Sequence, residues 1–237
     1  MNPAARTILD QLACVEQERS RRAGDAGLAA SVVKVKRFQR DRFARTYADL
    51  LASPRYAAAS RFFLEELYGP QDFSQRDAQF ARVVPALVRL FPAEIVATVE
   101  TLAHLHALSE GLDSAMGTVL RDASAVDASA YVRAWQHVGR VADRERQIVL
   151  TVSIGRTLDQ LTRKALLRHS LHLMRGPARA AGLGALQQFL ECGFDTFRAM
   201  NGAHEFLGHI DTRERRLAAQ LFQPAAATEA AVLGELP

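Results

Sequence analysis

Apolar residues recur three and four positions apart along nearly the whole chain, and nowhere do they alternate with polar residues over the length of a strand. Side chains of a strand face opposite ways in turn, whereas helical residues three and four apart share a face, so this spacing confines the chain to an all-α fold. No strand-turn-strand signal and no fixed-period repeat interrupts the pattern. The expected architecture is a multi-helix bundle of seven to nine helices. A chain of 237 residues can bury a large core, since domains of this size hide roughly 70% of their unfolded surface.

The stretch Arg55 to Phe91 holds seven of the seventeen aromatic residues and is expected to organise the rest. Tyr56, Ala59, Phe63 and Leu67 fall on adjoining turns, which predicts an inward-facing aromatic helix. Gly69 and Pro70 should stop it, because glycine accepts the left-handed C-terminal position and proline cannot continue the ladder. Asp72 or Ser74 is then placed to cap a second helix. Asp77 follows Ser74 by three residues, as in a capping box, and Phe80, Val83, Val84, Leu87, Val88 and Phe91 follow at helical spacing, with Pro85 expected to kink them. Beside Tyr68, Arg76 is expected to clamp a carboxylate or a helix-end carbonyl. One buried core is expected from Phe63, Leu67, Phe80, Leu87, Leu102, Leu158, Leu190, Phe194 and Phe197.

Three regions follow from composition: an N-terminal helical arm at 1–53, a bundle core at 54–223 and a disordered tail at 224–237. In the arm, a polar helix over about 5–22 ends at a flexible link marked by Gly24 and Gly27, and a second helix runs from about Leu28 to Ala52. Residues 1–61 carry twelve Arg or Lys against six Asp or Glu, so the net charge of +4 resides there. Lys34, Lys36, Arg37, Arg40 and Arg45 crowd one part of the second helix. They are expected to form a solvated face, with an acidic protein or a phosphate as the minor alternative. Only three of the basic residues are lysines, which points to an arginine-biased genome rather than a nucleic-acid partner. Beyond Pro92 the chain reads as helices over Ala93–Ala123, about 128–141, 143–174, 177–200 and 203–222, the fourth ended by Asn201 and Gly202.

No apolar run reaches the length of a membrane span, and the first twenty residues lack the apolar region of a signal peptide, so a cytoplasmic location is expected. Cys14 and Cys192 are too few and too far apart for a disulfide framework or a cysteine metal knuckle.

The strings RFFLEELYGPQDFSQRD and LMRGPARAAGLGALQQFLECGF resemble those of a group of uncharacterised bacterial all-helical proteins, a likeness covering most of the chain after about Arg40. The resemblance implies a helical fold and no particular activity, cofactor or catalytic residue.

Catalytic motifs fail individually. His204 and His209 flank a glutamate as in a zinc-protease helix, but they are five apart, which turns the second ring about 140° from the first. Glu100/His104 and Glu205/His209 are four apart and can each share a ligand, so these four residues are the candidate metal ligands. Di-metal bundles instead use a spacing of three. His169 and His172 are three apart and prolong the stripe of Leu158, Leu161 and Ala165, which makes them the candidate buried pair for haem or a divalent metal. Gly182 and Gly184 lack the strand and lysine of a phosphate loop and are read as points of close helix approach. The expected function is a non-catalytic helical protein that acts by binding another copy of itself or another protein. Haem or metal binding through buried histidines is the alternative.

Overall fold

A computed structural model describes residues 2–67, 71, 73–228 and 236–237, and shows α-helix throughout with no strand among them. Twelve α-helical segments are formed by the described residues, more than the seven to nine expected. The excess arises where long predicted helices break into pieces. They are α1 (Pro3–Ala23), α2 (Ala26–Thr46), α3 (Ala48–Ala52), α4 (Ala57–Phe62), α5 (Ser74–Leu90), α6 (Ala93–Val119), α7 (Ala128–Val138), α8 (Val141–Thr162), α9 (Ala165–Leu173), α10 (Arg175–Ala180), α11 (Gly184–Ala199) and α12 (His204–Leu221).

The first two helices are not an arm. Asn2 Oδ1 accepts the amide of Ala4 at 2.9 Å and starts α1, whose Ile8, Leu12 and Val15 are buried. At the expected flexible link, Gly24 closes α1 by donating to Ser20 O at 3.1 Å, and Asp25 caps α2 by accepting from Leu28 N at 3.1 Å. Both helices pack on α6, which begins at Ala93 as predicted and runs for 27 residues. Continuous burial of one face, not the basic composition of the other, decides where this region sits.

Three apolar clusters replace the single core. The largest joins Phe43 of α2 and Tyr47, which follows that helix, to Phe62, Phe63, Phe197, Phe206 and Leu207. Phe63 is central to it, with ring centroids 5.5 Å from Phe206, 6.3 Å from Phe197 and 6.4 Å from Phe43. The aromatic helix departs from regular geometry there, since α4 runs into a π-helical turn, Phe63–Leu67. The second cluster lies between α2, α6, α7 and α12, where Phe38 stacks on Tyr131 at 4.3 Å. The third holds Ile8, Leu12, Val84 and Ala103, with Phe80 packed against it. Leu190 is exposed and Leu102 faces a cavity, so neither belongs to a common core. The Leu67 side chain and the predicted stop and cap at Gly69, Pro70 and Asp72, with Tyr68, lie outside the described residues.

Four further expectations change. Phe73, not Ser74, occupies the N-cap position of α5 and makes no side-chain cap bond; the helix continues through Pro85 to Leu90. The predicted helix 143–174 ends at Thr162, and the chain turns through Arg163 and Lys164 before α9. Gly182 takes φ +70° between α10 and α11 and is a turn residue rather than a contact point. Close approach instead occurs at Gly155, where a β-carbon would collide with Leu207 of α12. The tail is not wholly loose: Pro224–Ala227 forms a 3-10 turn, and Ala226 and Leu236 are buried in the second cluster. No helix among the described residues is long and apolar enough to cross a membrane.

Candidate functional site

Helix α6 is mostly apolar, yet His106, Glu110 and Asp113 follow at spacings of four and three and so occupy one inward face. This polar stripe organises the interior. Glu110 accepts from Nη2 of Arg22 at 2.5 Å and from Nζ of Lys36 at 2.7 Å. Arg22 Nη1 also donates to Ser114 Oγ at 3.3 Å. Burial opposes ionisation of Glu110, but the Lys36 and Arg22 cations overcome it and hold the carboxyl at about 2. Asp113, one turn on, accepts from Gln39 Nε2 at 3.1 Å and lies 3.8 Å from Lys36 Nζ. Its burial, helped by the neighbouring Glu110 charge, prevails over Lys36 and pushes its carboxyl above the ordinary range. Lys36 is therefore an interior counter-ion, not part of a solvated face. Arg37, Arg40 and Arg45 are exposed as expected, while Lys34 is half-buried and donates to Ala123 O at 2.8 Å.

A second ionic group lies toward α5. Asp77 Oδ2 is 2.6 Å from Arg19 Nη2 and 2.7 Å from His106 Nε2. Burial works against the Asp77 charge, and His106 and Arg19 together still keep its carboxyl below the usual range. The residue expected to complete a capping box thus ties α5 to α1 and α6. Arg76 behaves as predicted: Nη1 donates to the carboxylate of Glu66 at 3.3 Å and to its carbonyl at 3.5 Å. Its guanidinium also lies between the rings of Phe73 and Phe189, 4.1 and 4.4 Å from their centroids.

These groups border a cavity of about 170 Å³ between α1, α2, α5, α6, α8 and α11. Its lining combines apolar side chains, among them Phe73, Phe80, Leu102, Leu105, Leu186 and Phe189, with polar ones that include the cations of Lys36 and Arg76 and the acceptors of Ser109, Glu110 and Asp113. Gln147 Nε2 donates to Ser109 Oγ at 2.8 Å. An apolar cavity of ~150 Å³ accommodates benzene, so this one has room for a small ring and a polar substituent. The Ser109 hydroxyl and the carboxyl groups of Glu110 and Asp113 are the acceptors in this lining for a group that donates a hydrogen bond.

His106 and Ser109 are one turn apart in the same wall, with Asp77 behind the histidine. Nucleophilic catalysis needs the hydroxyl hydrogen-bonded to the imidazole. Ser109 bonds to Gln147 instead, and no hydrogen bond joins it to His106.

The residues singled out from sequence lie elsewhere. His169 and His172 are exposed on α9, the latter 3.0 Å from Arg175 Nη1, because the break after Thr162 ends the apolar stripe they were expected to continue. The burial expected of the pair is therefore not found. Glu100 and His104 are half-buried on α6. Glu205 and His209 do approach, at 4.0 Å on the surface of α12, but Glu205 Oε2 also accepts from Tyr56 Oη at 2.5 Å and from Arg55 at 3.3 Å. The structure does not join the two pairs. Among the described residues no group of three or more His, Cys, Asp or Glu side chains is placed to hold one ion.

The sequence profile of one family matches residues 18–228, from the last turns of α1 to the end of the 3-10 turn. The chain belongs to that family, described as a domain of unknown function (DUF8198). The matched span contains every cavity-lining residue except Leu12. Comparison with curated proteins and with solved structures gives no match.

Proposed function

We propose that this helical domain binds a small amphipathic molecule in the cavity beside α6, a ligand of about ten non-hydrogen atoms with an aromatic or branched apolar body and one hydroxyl or amine. The observation that carries this reading is one cavity whose lining joins phenylalanine and leucine side chains to the acceptors of Ser109, Glu110 and Asp113. Buried carboxylates are costly unless paired, and here ion pairs hold Glu110 at the wall of a cavity. Such a lining is the usual chemistry of small-molecule sites.

The reading is tested by thermal denaturation with p-cresol as probe. A ligand bound only by the folded state raises the melting temperature with concentration, by RT ln(1 + [L]/Kd) in stability. Leu102→Trp, which places an indole in the cavity, should retain helicity and abolish the shift. An equal shift in both proteins, or none in wild type at saturating probe, would defeat the proposal.

A second reading, association with another protein or another copy, is favoured by α9 and its C-terminal residue. Leu166, Leu173 and Met174 are 81%, 65% and 52% exposed. Large apolar side chains gathered on one peripheral helix are a common feature of docking surfaces.

A further inference from the structure

Beyond the ligand cavity, two residues that line a smaller space carry three buried hydrogen-bond donors. Arg144, on the first turns of α8, is 4% exposed, and its Nε and Nη2 make no hydrogen bond. Trp135 Nε1 is likewise buried without an acceptor. Both residues line a cavity of about 40 Å³ bounded also by Arg42, Tyr131, Gln147 and Glu214. Native proteins rarely leave buried donors unpaired, and an arginine keeps its proton even when burial lowers its affinity for it.

The charges around this space do not balance. From α12, Glu214 is already paired with Arg42 of α2 and also accepts from Tyr47 Oη at 2.8 Å. On α6, Asp113 acts on Arg144 through space, but its nearest cation is Lys36 and its Oδ1 is occupied by Gln39. Arg140, in the turn before α8, adds a further positive charge, and Tyr131 of α7 is neutral because burial pushes its hydroxyl further up. Arg144 is left with the Trp135 ring, 3.8 Å beneath its guanidinium, as its close partner. A cation-π contact does not satisfy N–H groups, which lie in the guanidinium plane.

We propose that Arg144 and Trp135 form a binding site for a compact monovalent anion, of the size of formate or a halide. One water-sized sphere needs ~10–15 Å³, so the space holds about three, the heavy-atom count of a formate ion. A planar guanidinium recognises such a carboxylate through paired donors. The site is separate from the ligand cavity but adjoins it, since Gln39 and Gln147 line both. Occupancy by an anion would supply the acceptors that these donors lack.

Trp135 is the only tryptophan of the chain, so its fluorescence reports on this site alone. The test is a titration of the full-length protein with sodium bromide, a heavy-atom quencher. Bound bromide beside the indole gives quenching that saturates, with the lifetime of the remaining emission unchanged, and both chloride and formate reverse it competitively. Arg144→Met, which retains Trp135, should weaken the apparent affinity by about tenfold or more, the worth of one charge-assisted hydrogen bond. If that variant does not fold, the wild-type competition still decides. Quenching that rises without saturation and shortens the lifetime in proportion, or saturable quenching that formate and chloride leave untouched, overturns the proposal. So does an affinity unchanged in folded Arg144→Met. Failure here leaves the p-cresol result intact, because that probe reports on the other cavity.

Discussion

Replacing Glu110 by glutamine removes the carboxylate with which both Arg22 and Lys36 pair. The carboxyl is held at about 2 instead of an ordinary 4.5, which at 1.36 kcal/mol per pH unit corresponds to about 3 kcal/mol of folded-state stability. An independent route gives a similar figure, since removing one partner of a buried ion pair costs ~3–5 kcal/mol by leaving the other charge uncompensated. Glu110→Gln should therefore lose about 3 kcal/mol at pH 7 in urea denaturation, with the slope against urea unchanged. Because the folded-state pKa is depressed, this contribution is complete above about pH 4.5 and disappears as the pH falls toward 2. The gap between the two proteins should narrow over that window. Asp113 works in the opposite sense, since its raised pKa favours the folded state at acid pH and the benefit fades as it ionises, but it is present in both proteins. A difference below about 1 kcal/mol at pH 7, or one that stays constant down to pH 3, would refute the assignment of Glu110 as the hub of the interior ion pairs.

Phe63→Ala should cost ~3–5 kcal/mol in the same assay, because the ring sits among Phe43, Phe197 and Phe206; a loss under about 1 kcal/mol would remove it from the centre of the largest cluster. Gly155→Ala should destabilise by about 1–3 kcal/mol through collision with Leu207, and the same substitution should cost less in a Leu207→Ala background than in wild type if the contact is the cause. Leu166→Glu with Leu173→Glu should leave the melting temperature nearly unchanged, since both side chains are exposed. If wild type proves larger than a monomer by light scattering and the double variant does not, α9 is the contact; equal masses remove that role from it.

The helical class was plain in the sequence because a spacing of three and four residues has one structural solution, and the long α6 and the stop at Asn201 and Gly202 were equally legible. The latter pair adopts φ +51° and +110°, conformations that few other residues take up. Helix breaks were less visible. Nothing in Arg163-Lys164 resembles a stop signal, so α8 and α9 read as one helix and the histidines of α9 were assigned to the interior. The interior ion pairs were harder still. Lys36 lies in a basic run of which Arg37, Arg40 and Arg45 are exposed, and pairing with Glu110, 74 residues away, draws it inward. What the chain did offer was Glu110 and Asp113 three apart on the inward face of an apolar helix, a pattern that requires buried cations. Arg144 carried no sequence signal, since its environment is assembled from five separate helices.

The reading of the domain as a small-molecule binder is tested most directly by a crystal structure of the protein soaked with 4-bromophenol, which matches p-cresol in size and marks its position by anomalous scattering. The predicted result is a bromine peak against Phe80, Leu102 and Leu186, with the hydroxyl toward Ser109, Glu110 or Asp113. A protein that shows no bromine in this cavity at saturating probe, or binds it only on the exposed leucines of α9, contradicts the proposal.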